Sequence, residues 1–392
     1  MTRYRDLGLT VGQLPPGPLN AITDVDGVRI GVTTLVHGDG PLIVGQGPVR
    51  TGVTVIVPHE GIGTEPVFAG CHRLNGNGEL TGLEWVRESG QLTTPVALTN
   101  THSVGVVRDA LVAAEIRRRT DTTTYWSLPV VGETYDGTLS DINGMHVGPE
   151  HVFAALDGAA GGPVPEGNVG GGTGMICHEF KGGTGTASRV IEGFVVGALV
   201  QANHGRRERL SVDGVPVGRE LPTEAVPSPW DGEAAIDAAT LRPPPGGGSI
   251  ISILATDAPL LPHQCERLAQ RAGLGIARVG GAGEHSSGDL FLAFSTGNRG
   301  KLHSYKMEAG AIPFEVTMLP DGAMSDLFWA AIEATEEAIL NALAAADTMI
   351  GRDGLTAHAL DHGTLVDIMS RYGRGPERGT PDGNRAGASL DP

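Results

Sequence analysis

The sequence is poor in cysteine, and its three cysteines lie far apart. Cys71, Cys177 and Cys265 form no CxxC pair among the 392 residues. A disulfide framework or a structural zinc site needs cysteines or other ligands at fixed short intervals, and this spacing supplies neither. We therefore expect three buried thiols that act as small apolar side chains.

Basic residues are scarce relative to acidic ones. The chain has 28 lysines and arginines against 45 aspartates and glutamates, which gives a net charge of -17. This charge disfavours phosphate backbones and anionic lipid surfaces, so neither nucleic acid nor a membrane is expected as a partner. The N-terminal segment lacks the apolar core of a signal peptide, and no apolar run reaches membrane-spanning length. We expect a soluble, cytoplasmic protein.

Cofactor motifs are missing as well. The glycine-rich segment 167–174 has no GK[ST] ending, so tight packing or a substrate pocket is the better interpretation than nucleotide binding. His358 and His362 are four residues apart, but no HExxH motif occurs, and His178 with Glu179 completes no ligand pattern. We predict neither a metal nor another cofactor.

Hydrophobic residues make up 40% of the chain and fall into two kinds of pattern. Valine-rich runs predict buried strands at 52–58, 95–98, 128–131, 193–202, 249–255 and 290–295. Helical spacing predicts helices at 103–119, 262–272 and 325–343. In the last helix we expect Ser325 to cap the N-terminus and Glu333, Glu336 and Glu337 to face solvent. The mixture predicts a layered α+β fold.

One segment interrupts this order. Residues 220–248 are rich in proline and end in PPPGGG, which predicts an exposed linker, and Ser249 then begins an apolar strand without an intervening turn. A serine hydroxyl beside a glycine carbonyl is what self-cleavage through an N-to-O acyl shift requires. The α-amine that cleavage frees, with a pKa of about 8, is suited to be a base for the same hydroxyl. Taken alone, the segment also fits an ordinary loop that enters a strand.

The rest of the chain carries a series of motifs in one order. They are ITDV at 22–25, NGNGELTG at 75–82, LTNT at 98–101 with SVG at 103–105, GETYDG at 132–137 with DING at 141–144, GNVGGGTGM at 167–175, VQANHG at 200–205, GS at 248–249, SSGD at 286–289, and DG at 353–354 with AHAL at 357–360. Through these motifs the chain resembles, nearly end to end, the family of self-processing L-aminopeptidase/D-alanine esterase-amidases and β-peptidyl aminopeptidases.

The resemblance implies a fold and an activity. The fold is a four-layer αββα sandwich, similar to that of N-terminal-nucleophile hydrolases but differently connected. Fragments 1–248 and 249–392 stay together as one catalytic domain, and a homotetramer of such heterodimers is implied. The expected activity is release of N-terminal amino acids from small peptides, amides or esters through an acyl-enzyme on Ser249.

The resemblance also implies roles for individual residues. Self-cleavage falls between Gly248 and Ser249, and Ser287 with Asp289 forms a supporting hydrogen-bonded pair. Some relatives have glutamate where this chain has Asp289, which alters the reach of that pair by one methylene. For the remaining roles, Asn203 and Tyr135 are expected to stabilise the oxyanion, and Glu133 to bind the amine of the substrate. Turn chemistry suffices for Asp136 and Asp141.

Two other functions stay open at this stage. One is an unprocessed, catalytically idle binding scaffold of the same fold. The other is a hydrolase of amide oligomers such as 6-aminohexanoate chains, although those relatives resemble the chain more weakly and have threonine at the position of Ser249. The sequence leaves open whether L-α-, D-α- or β-amino residues are preferred. It also leaves open whether the α-amine of Ser249 or the pair Ser287 and Asp289 is the working base.

Overall fold

The computed structural model describes residues 1–120, 124–221, 224–230, 248–302 and 313–376. Four of its strands form one sheet: β1 (Arg29–His37), β2 (Val49–Val57), β5 (Val96–Asn100) and β6 (Val130–Thr134), in the order β1-β2-β5-β6. The pair β5 and β6 is parallel, and the other pairs of this sheet are antiparallel.

Six strands form a second sheet, in the order β4-β3-β12-β11-β10-β9. They are β3 (Val67–Gly76), β4 (Gln91–Leu92), β9 (Gly183–Ile191), β10 (Phe194–Asn203), β11 (Gly248–Thr256) and β12 (Ser287–Ser295). The central pair β11 and β12 is parallel, whereas the strands on either side are antiparallel to their neighbours. Two short hairpins lie outside the sheets, β7 (Ile176–Cys177) with β8 (Phe180–Lys181) and β13 (Met349–Ile350) with β14 (Thr356–Ala357).

The helices among the described residues are α1 (Leu83–Ser89), α2 (Val104–Arg118), α3 (Pro149–Asp157), α4 (Val217–Glu220), α5 (Pro262–Arg278), α6 (Met324–Ala344) and α7 (His362–Arg371). Four of them cover the outer faces of the two sheets. Helices α2 and α3 pack on the four-stranded sheet, α5 packs on β3 and β12, and α6 packs on β9 and β10.

Three hydrophobic cores separate the four layers. Between the sheets, Ile56, Leu98 and Val130 meet Leu199, Ile251, Ile253 and Leu292. Alternate residues of the same strands face the helices, because successive side chains of a strand point to opposite sides of the sheet. Thus Ile250 and Leu254 pack under α5 and α6, and Val53 and Ala97 pack under α2 and α3. The fold is a layered α+β fold, as the residue patterns predicted, with the four-layer αββα arrangement that the resemblance implied.

The structure contains all six predicted strands and all three predicted helices, with shifted ends. Strands β1, β3 and β9 were not predicted. Strand β9 has the sequence GTGTASRVI, in which buried positions carry hydroxyls rather than apolar groups. Its hydroxyls are satisfied, since Thr186 donates to the carbonyl of Ala198 at 2.6 Å and Ser188 donates to Asp24 at 2.6 Å. A search for apolar runs misses such a strand.

The prediction for the surface of α6 was wrong. Glu333, Glu336 and Glu337 are buried, at 4%, 3% and 0% exposure. Ser325 does not cap the helix either, because the helix begins one residue earlier, at Met324, and its N-cap position is Ala323. The outer side of α6 is therefore covered by protein rather than by solvent.

Ion pairs explain how these glutamates are buried. Arg189 of β9, itself fully buried, reaches Glu333 at 3.2 Å and Glu337 at 2.7 Å. The N-terminal segment lies over the helix, where Arg5 contacts Glu337 at 2.6 Å and the backbone amide of Gln13 donates to Glu333 at 2.9 Å. Arginine partners and backbone donors offset the cost of removing the carboxylates from water.

Only part of the predicted linker 220–248 lies within the described residues, and that part differs from an exposed linker. Val226 and Ser228 are buried. Ser228 donates to Glu179 at 2.7 Å, and Arg207 donates to the carbonyl of Val226. The end of the segment differs as well, because Gly248 already belongs to β11.

Two further expectations concern the thiols and the membrane. Cys71, Cys177 and Cys265 are free and buried, as expected. Within the described ranges, the helices lack a stretch of sufficient length and hydropathy to cross a bilayer.

Replacement of Arg189 by methionine tests the buried ion pairs. The substitution leaves Glu333 and Glu337 without their shared cation, and breaking a buried pair in this way costs about 3–5 kcal/mol. We expect the free energy of unfolding, measured with urea, to fall by about this amount. The matched control is Arg108→Met, which removes a solvent-exposed pair with Asp109 and should cost less than about 1 kcal/mol. Equal small effects of both substitutions would contradict a stabilising role for the network.

Candidate active site

The predicted catalytic residues meet where three neighbouring strands end or begin. Strand β10 ends at Asn203, β11 begins at Gly248, and β12 begins at Ser287. In register, Asn203 lies opposite Ser249 on one side, and Gly288 lies opposite Ser249 on the other. Ser287 and Asp289 flank Gly288 along the chain, so the topology brings the predicted nucleophile between its predicted partners.

The peptide between Gly248 and Ser249 has a backbone that only glycine suits. Gly248 has φ +137°, in the region that L side chains rarely adopt. A β-carbon at Gly248 would overlap the carbonyl oxygen of Asn203 and lie 3.2 Å from Cα of His204. The strand β10 therefore passes directly against the peptide that precedes Ser249.

The hydroxyl of Ser249 is held by the neighbouring strand. Its Oγ accepts a hydrogen bond from the backbone N–H of Gly288 at 3.0 Å, and the residue is buried. Gly288 also packs tightly, since a β-carbon there would overlap the carbonyl oxygen of Asn77. A donor aimed at Oγ stabilises negative charge that develops on this oxygen.

Ser287 and Asp289 form the predicted hydrogen-bonded pair. The hydroxyl of Ser287 donates to Oδ1 of Asp289 at 2.6 Å, and both residues are buried. Burial raises the pKa of Asp289 to about 6, while the hydrogen bond from Ser287 opposes this rise. The carboxylate thus titrates close to neutral pH, where a proton acceptor is most effective.

Asn203 is oriented by two hydrogen bonds. Its Nδ2 donates to the carbonyl oxygen of Tyr135 at 3.1 Å, and its Oδ1 accepts from the backbone N–H of Ile176 at 2.8 Å. An amide NH₂ group carries two hydrogens, so one bond to Tyr135 leaves the second for another acceptor. The contact with Tyr135 is to its backbone. Its side chain is 38% exposed and folds over Gly137, where a β-carbon would overlap the phenol.

Glu133 is a buried carboxylate with two protein donors. Its Oε1 accepts from the backbone N–H of Glu79 at 3.0 Å, and its Oε2 accepts from the hydroxyl of Thr101. Burial raises the pKa of Glu133, and these two hydrogen bonds oppose the rise. The carboxylate lies close to Gly288, the residue opposite Ser249. A β-carbon on Gly78 would lie 3.1 Å from Oε1 of Glu133 and 3.2 Å from Cα of Gly288.

Three residues of this site had no role in the sequence interpretation. They are Gly288, which holds the Ser249 hydroxyl, Thr101, which binds Glu133, and Gly78, which separates Glu133 from Gly288. All three lie within motifs of the resemblance, namely SSGD, LTNT and NGNGELTG. The motifs marked the segments, but only the packing shows which atom in each segment contacts the site.

The segment 167–174 packs tightly between the two sheets. A β-carbon at Gly171 would overlap Gln201, and one at Gly172 would overlap Thr184. The backbone N–H of Gly171 donates to the hydroxyl of Thr54 at 3.1 Å. Glycines here permit close backbone approach, in line with the predicted tight packing.

Cys177, His178 and His204 form the one group of potential metal ligands found among the described residues, with ligand atoms within 4.8 Å of one another. These side chains already have protein partners: Sγ of Cys177 contacts Nδ1 of His204 at 3.8 Å, and Nδ1 of His178 bonds to the carbonyl oxygen of Arg206 at 2.9 Å. His362 is the first residue of α7 and bonds to the carbonyl oxygen of Ala344 at 2.8 Å. Since α7 begins there, His358 does not share a helical face with it.

Asp136 and Asp141 lie in the loop after β6. The backbone carbonyl of Asp136 closes a turn with the amides of Leu139 and Ser140, each at 3.0 Å. Oδ2 of Asp141 accepts from the backbone N–H of Gly45 at 2.7 Å and contacts Nε2 of His146 at 2.9 Å. These contacts fit structural roles in the loop.

Comparison with known proteins identifies the family to which the chain belongs. Residues 20–357 match peptidase family S58. The chain is 49% identical to the β-peptidyl aminopeptidase BapA of Sphingosinicella microcystinivorans, over 95% of this chain and 93% of that protein.

Two solved structures share the fold. The β-aminopeptidase of Burkholderia sp. has a TM-score of 0.85 and 53% identity, covering 95% of this chain and 99% of that one. The L-aminopeptidase D-Ala-esterase/amidase of Ochrobactrum anthropi, described as a variant of the Ntn hydrolase fold, has a TM-score of 0.83 and 44% identity, with 95% and 99% covered. The chain therefore belongs to peptidase family S58 and is an aminopeptidase of that family.

Proposed function

We propose that the chain cuts itself between Gly248 and Ser249 and then uses Ser249 to release N-terminal residues from small peptides, amides or esters. One observation carries the proposal. The first serine of the central strand β11 stands in register between Asn203 and the Ser287–Asp289 pair, and its hydroxyl accepts a hydrogen bond from Gly288. Nucleophile, proton acceptor and amide donor thus converge at one sheet edge.

Self-cleavage would begin with attack of the Ser249 Oγ on the carbonyl carbon of Gly248. A C–O bond forms, the C–N bond to Ser249 breaks, and the amine takes the proton that the hydroxyl loses. Water then hydrolyses the resulting ester, which leaves a carboxylate on Gly248 and a free hydroxyl and α-amine on Ser249. The glycine conformation at φ +137° and the close approach of Asn203 support this step, because they fix the position of the peptide beside the end of β10.

Substrate turnover would use the same oxygen. Ser249 attacks the scissile carbonyl, the leaving amine or alcohol takes a proton, and water releases the acyl group. Two groups can accept the proton of Ser249, its own α-amine and the hydroxyl of Ser287, which is oriented by its 2.6 Å bond to Asp289. Asn203, opposite Ser249, is the proposed amide donor to the oxyanion, and Tyr135 is proposed to complete that site.

Glu133 is proposed to bind the ammonium group of the substrate. Its carboxylate lies beside Gly78 and Gly288, and Gly288 is the residue opposite Ser249. A buried carboxylate forms a strong charge-assisted bond with an ammonium group. The relatives named above are a β-peptidyl aminopeptidase, a β-aminopeptidase and an L-aminopeptidase D-Ala-esterase/amidase. Peptides with an N-terminal β-amino residue are therefore the first substrates to assay.

The two fragments are proposed to stay associated after the cut. Strand β11 belongs to fragment 249–392, yet it pairs with β10 of fragment 1–248 along eight residues, from Val196 opposite Thr256 to Asn203 opposite Ser249. Ile251 and Ile253 also lie in the core between the sheets. We further propose a homotetramer of these heterodimers, as the resemblance implies, and a cytoplasmic location, as expected from the sequence.

Cleavage of the chain and substrate preference distinguish the other two functions from this proposal. An idle scaffold would stay one intact chain. A hydrolase of 6-aminohexanoate oligomers would be cut but would favour those oligomers over aminoacyl substrates.

The self-cleavage proposal is tested by denaturing mass analysis of the wild type and Ser249→Ala. We expect two fragments, 1–248 and 249–392, from the wild type and one uncut chain without aminopeptidase activity from the variant. An intact wild-type chain of 40.5 kDa would overturn the proposal.

A pair of glycine substitutions tests the geometry of the same cut. Gly248→Ala introduces a β-carbon that overlaps Asn203, whereas Gly193→Ala places one at φ +89° with nothing within 4 Å. Both substitutions strain the backbone, but only the first displaces the scissile peptide. We expect uncut chain to accumulate in Gly248→Ala alone, and normal cleavage in both variants would contradict the geometric argument.

Glu133→Gln tests recognition of the amine. The loss of a charge-assisted hydrogen bond of about 1.5–3 kcal/mol lowers kcat/KM by roughly 10- to 100-fold for substrates with a free amine. The matched control is Glu79→Gln, because Glu79 contacts Glu133 through its backbone amide. Equal effects of the two substitutions on kcat/KM would show that Glu133 does not bind the substrate.

The pH dependence of kcat/KM tests the role of Asp289. Because burial raises the pKa of Asp289 to about 6, the carboxylate becomes protonated as the pH falls through this value, and activity should fall with it. We expect Asp289→Asn to remove this step and lower the rate. Asp257→Asn, just beyond the far end of β11, is the control. An unchanged rate and profile in Asp289→Asn would exclude Asp289 from proton transfer.

A further inference from the structure

A small cavity adjoins the Ser287–Asp289 pair. It is lined by Ser287, Asp289, His204 and the loop 280–284. The space that the centre of a water molecule can reach inside it is about 10 Å³, so one water molecule fits. The cavity thus joins the proposed catalytic pair to a histidine that has no role in the mechanism above.

Two residues that line the cavity each carry a buried polar atom without a hydrogen-bond partner among the described residues. These atoms are Nε2 of His204 and Oδ2 of Asp289. Both atoms lie near the loop: a β-carbon on Gly281 would lie 3.2 Å from Nε2 of His204, and one on Gly283 would lie 3.5 Å from Oδ2 of Asp289. Unpartnered polar atoms in the protein interior are rare, and buried water commonly satisfies them.

The other ring nitrogen of His204 indicates which partner Nε2 needs. Nδ1 lies 3.8 Å from Sγ of Cys177. Burial raises the pKa of the Cys177 thiol to about 12, so the thiol keeps its proton, which it can donate to Nδ1. Burial lowers the pKa of His204 well below its ordinary value, so the ring is neutral. In a neutral imidazole with Nδ1 as acceptor, Nε2 carries the hydrogen and is a donor.

Oδ2 of Asp289 has the opposite need. Oδ1 is occupied by the hydroxyl of Ser287 at 2.6 Å, and an ionised carboxylate accepts hydrogen bonds at both oxygens. A water molecule between the two groups can accept from Nε2 of His204 and donate to Oδ2 of Asp289. One molecule bound in the cavity that both residues line would satisfy both atoms.

We propose that the cavity binds one water molecule that links His204 to Asp289, and that His204 is thereby a positioning residue for the Ser287–Asp289 pair. The inference rests on the proposed function and extends it by one residue. His204 directly follows Asn203, the last residue of β10. The end of β10 therefore supplies both the proposed amide donor, Asn203, and the residue that supports the carboxylate of Asp289.

The proposal accounts for aspartate at position 289. A glutamate is longer by one methylene, so its carboxylate would extend into the cavity and take the place of the water molecule. With aspartate, the distance is bridged by water. Asp289→Glu is therefore expected to give a protein in which the cavity water is absent.

Other charged groups nearby are few. Glu284 lines the cavity and pairs with Arg206 at 2.9 Å. His178 packs against the ring of His204, with 5.2 Å between ring centroids. On β3, Arg73 lies opposite Leu290, the residue after Asp289. None of these groups is among the causes of the raised pKa of Asp289, which are burial, opposed by the hydrogen bond from Ser287 and by the backbone N–H of Ile250.

Two substitutions of His204 separate a positioning role from a structural one. His204→Leu removes the ring and the donor, whereas His204→Gln removes the ring and keeps an amide donor at the same reach. We expect the acid limb of kcat/KM to move to higher pH by about one unit in His204→Leu, since a tenfold change in the ionisation constant is typical of one lost hydrogen bond. We expect His204→Gln to retain the wild-type limb.

A high-resolution crystal structure of the wild-type protein provides the second test, and it does not depend on activity. We expect one ordered water molecule within hydrogen-bond distance of both Nε2 of His204 and Oδ2 of Asp289. A dry cavity, or a metal ion on Nε2 of His204, would overturn the proposal even if the variants fail to fold.

The two tests distinguish this proposal from the proposed function. A cut, active wild type with identical pH profiles in His204→Leu and His204→Gln would overturn the positioning role alone. An uncut wild-type chain would overturn the proposed function, and the crystal structure would still decide whether the water bridge exists.

Discussion

The alignment of β11 between an antiparallel and a parallel neighbour is the constraint on which the site depends. The antiparallel partner β10 ends where β11 begins, and the parallel partner β12 begins there too. This topology brings Asn203, Ser249 and Ser287 to one edge of the sheet. The apolar residues of β11 fix the register, because Ile250 and Ile251 belong to different cores on opposite faces of the sheet. A shift by one residue would exchange the two faces and move Ser249 out of line.

Burial gives the site its chemistry. Asp289 and Glu133 are both removed from water, and desolvation raises the pKa of each. Hydrogen bonds from Ser287 to Asp289 and from Thr101 to Glu133 oppose this effect and fix the orientation of each carboxylate. The same principle acts in α6, where arginines rather than hydroxyls stabilise buried glutamates. Buried acids are therefore stabilised by ion pairs with arginines in α6 and by hydroxyl and amide donors at the site.

The sequence predicted the parts of the fold that form continuous apolar runs or repeat with helical spacing. Strand β11 and helix α5 are of this kind. It did not predict β9, whose buried Thr186 and Ser188 look polar in sequence but are satisfied by distant partners. It placed Glu333 and Glu337 in solvent, because nothing local shows that Arg189 and the N-terminal segment cover them. Partners in other elements of the fold decide such cases.

The candidate site shows the same division. The position of Ser249 after a glycine-rich segment suggested self-cleavage but also fitted an ordinary loop. The role of Ser249, like those of Glu133, Asn203, Ser287 and Asp289, came from the resemblance. The contacts that orient them, such as Gly288 to Ser249 and Tyr135 to Asn203, involve backbone atoms that carry no residue-specific signal. His204 was not singled out, because its link to Asp289 exists only through a cavity between two strands and a loop.

The most direct test of the account is to locate the acyl group during turnover. The purified protein would be mixed with an aminoacyl ester, quenched in acid within one turnover, and mapped by peptide mass spectrometry. The account predicts that the acyl mass is found on the peptide that begins with Ser249, at a free N-terminus created by the cut. An acyl group on another residue, or a Ser249 still joined to Gly248 in active protein, would contradict it.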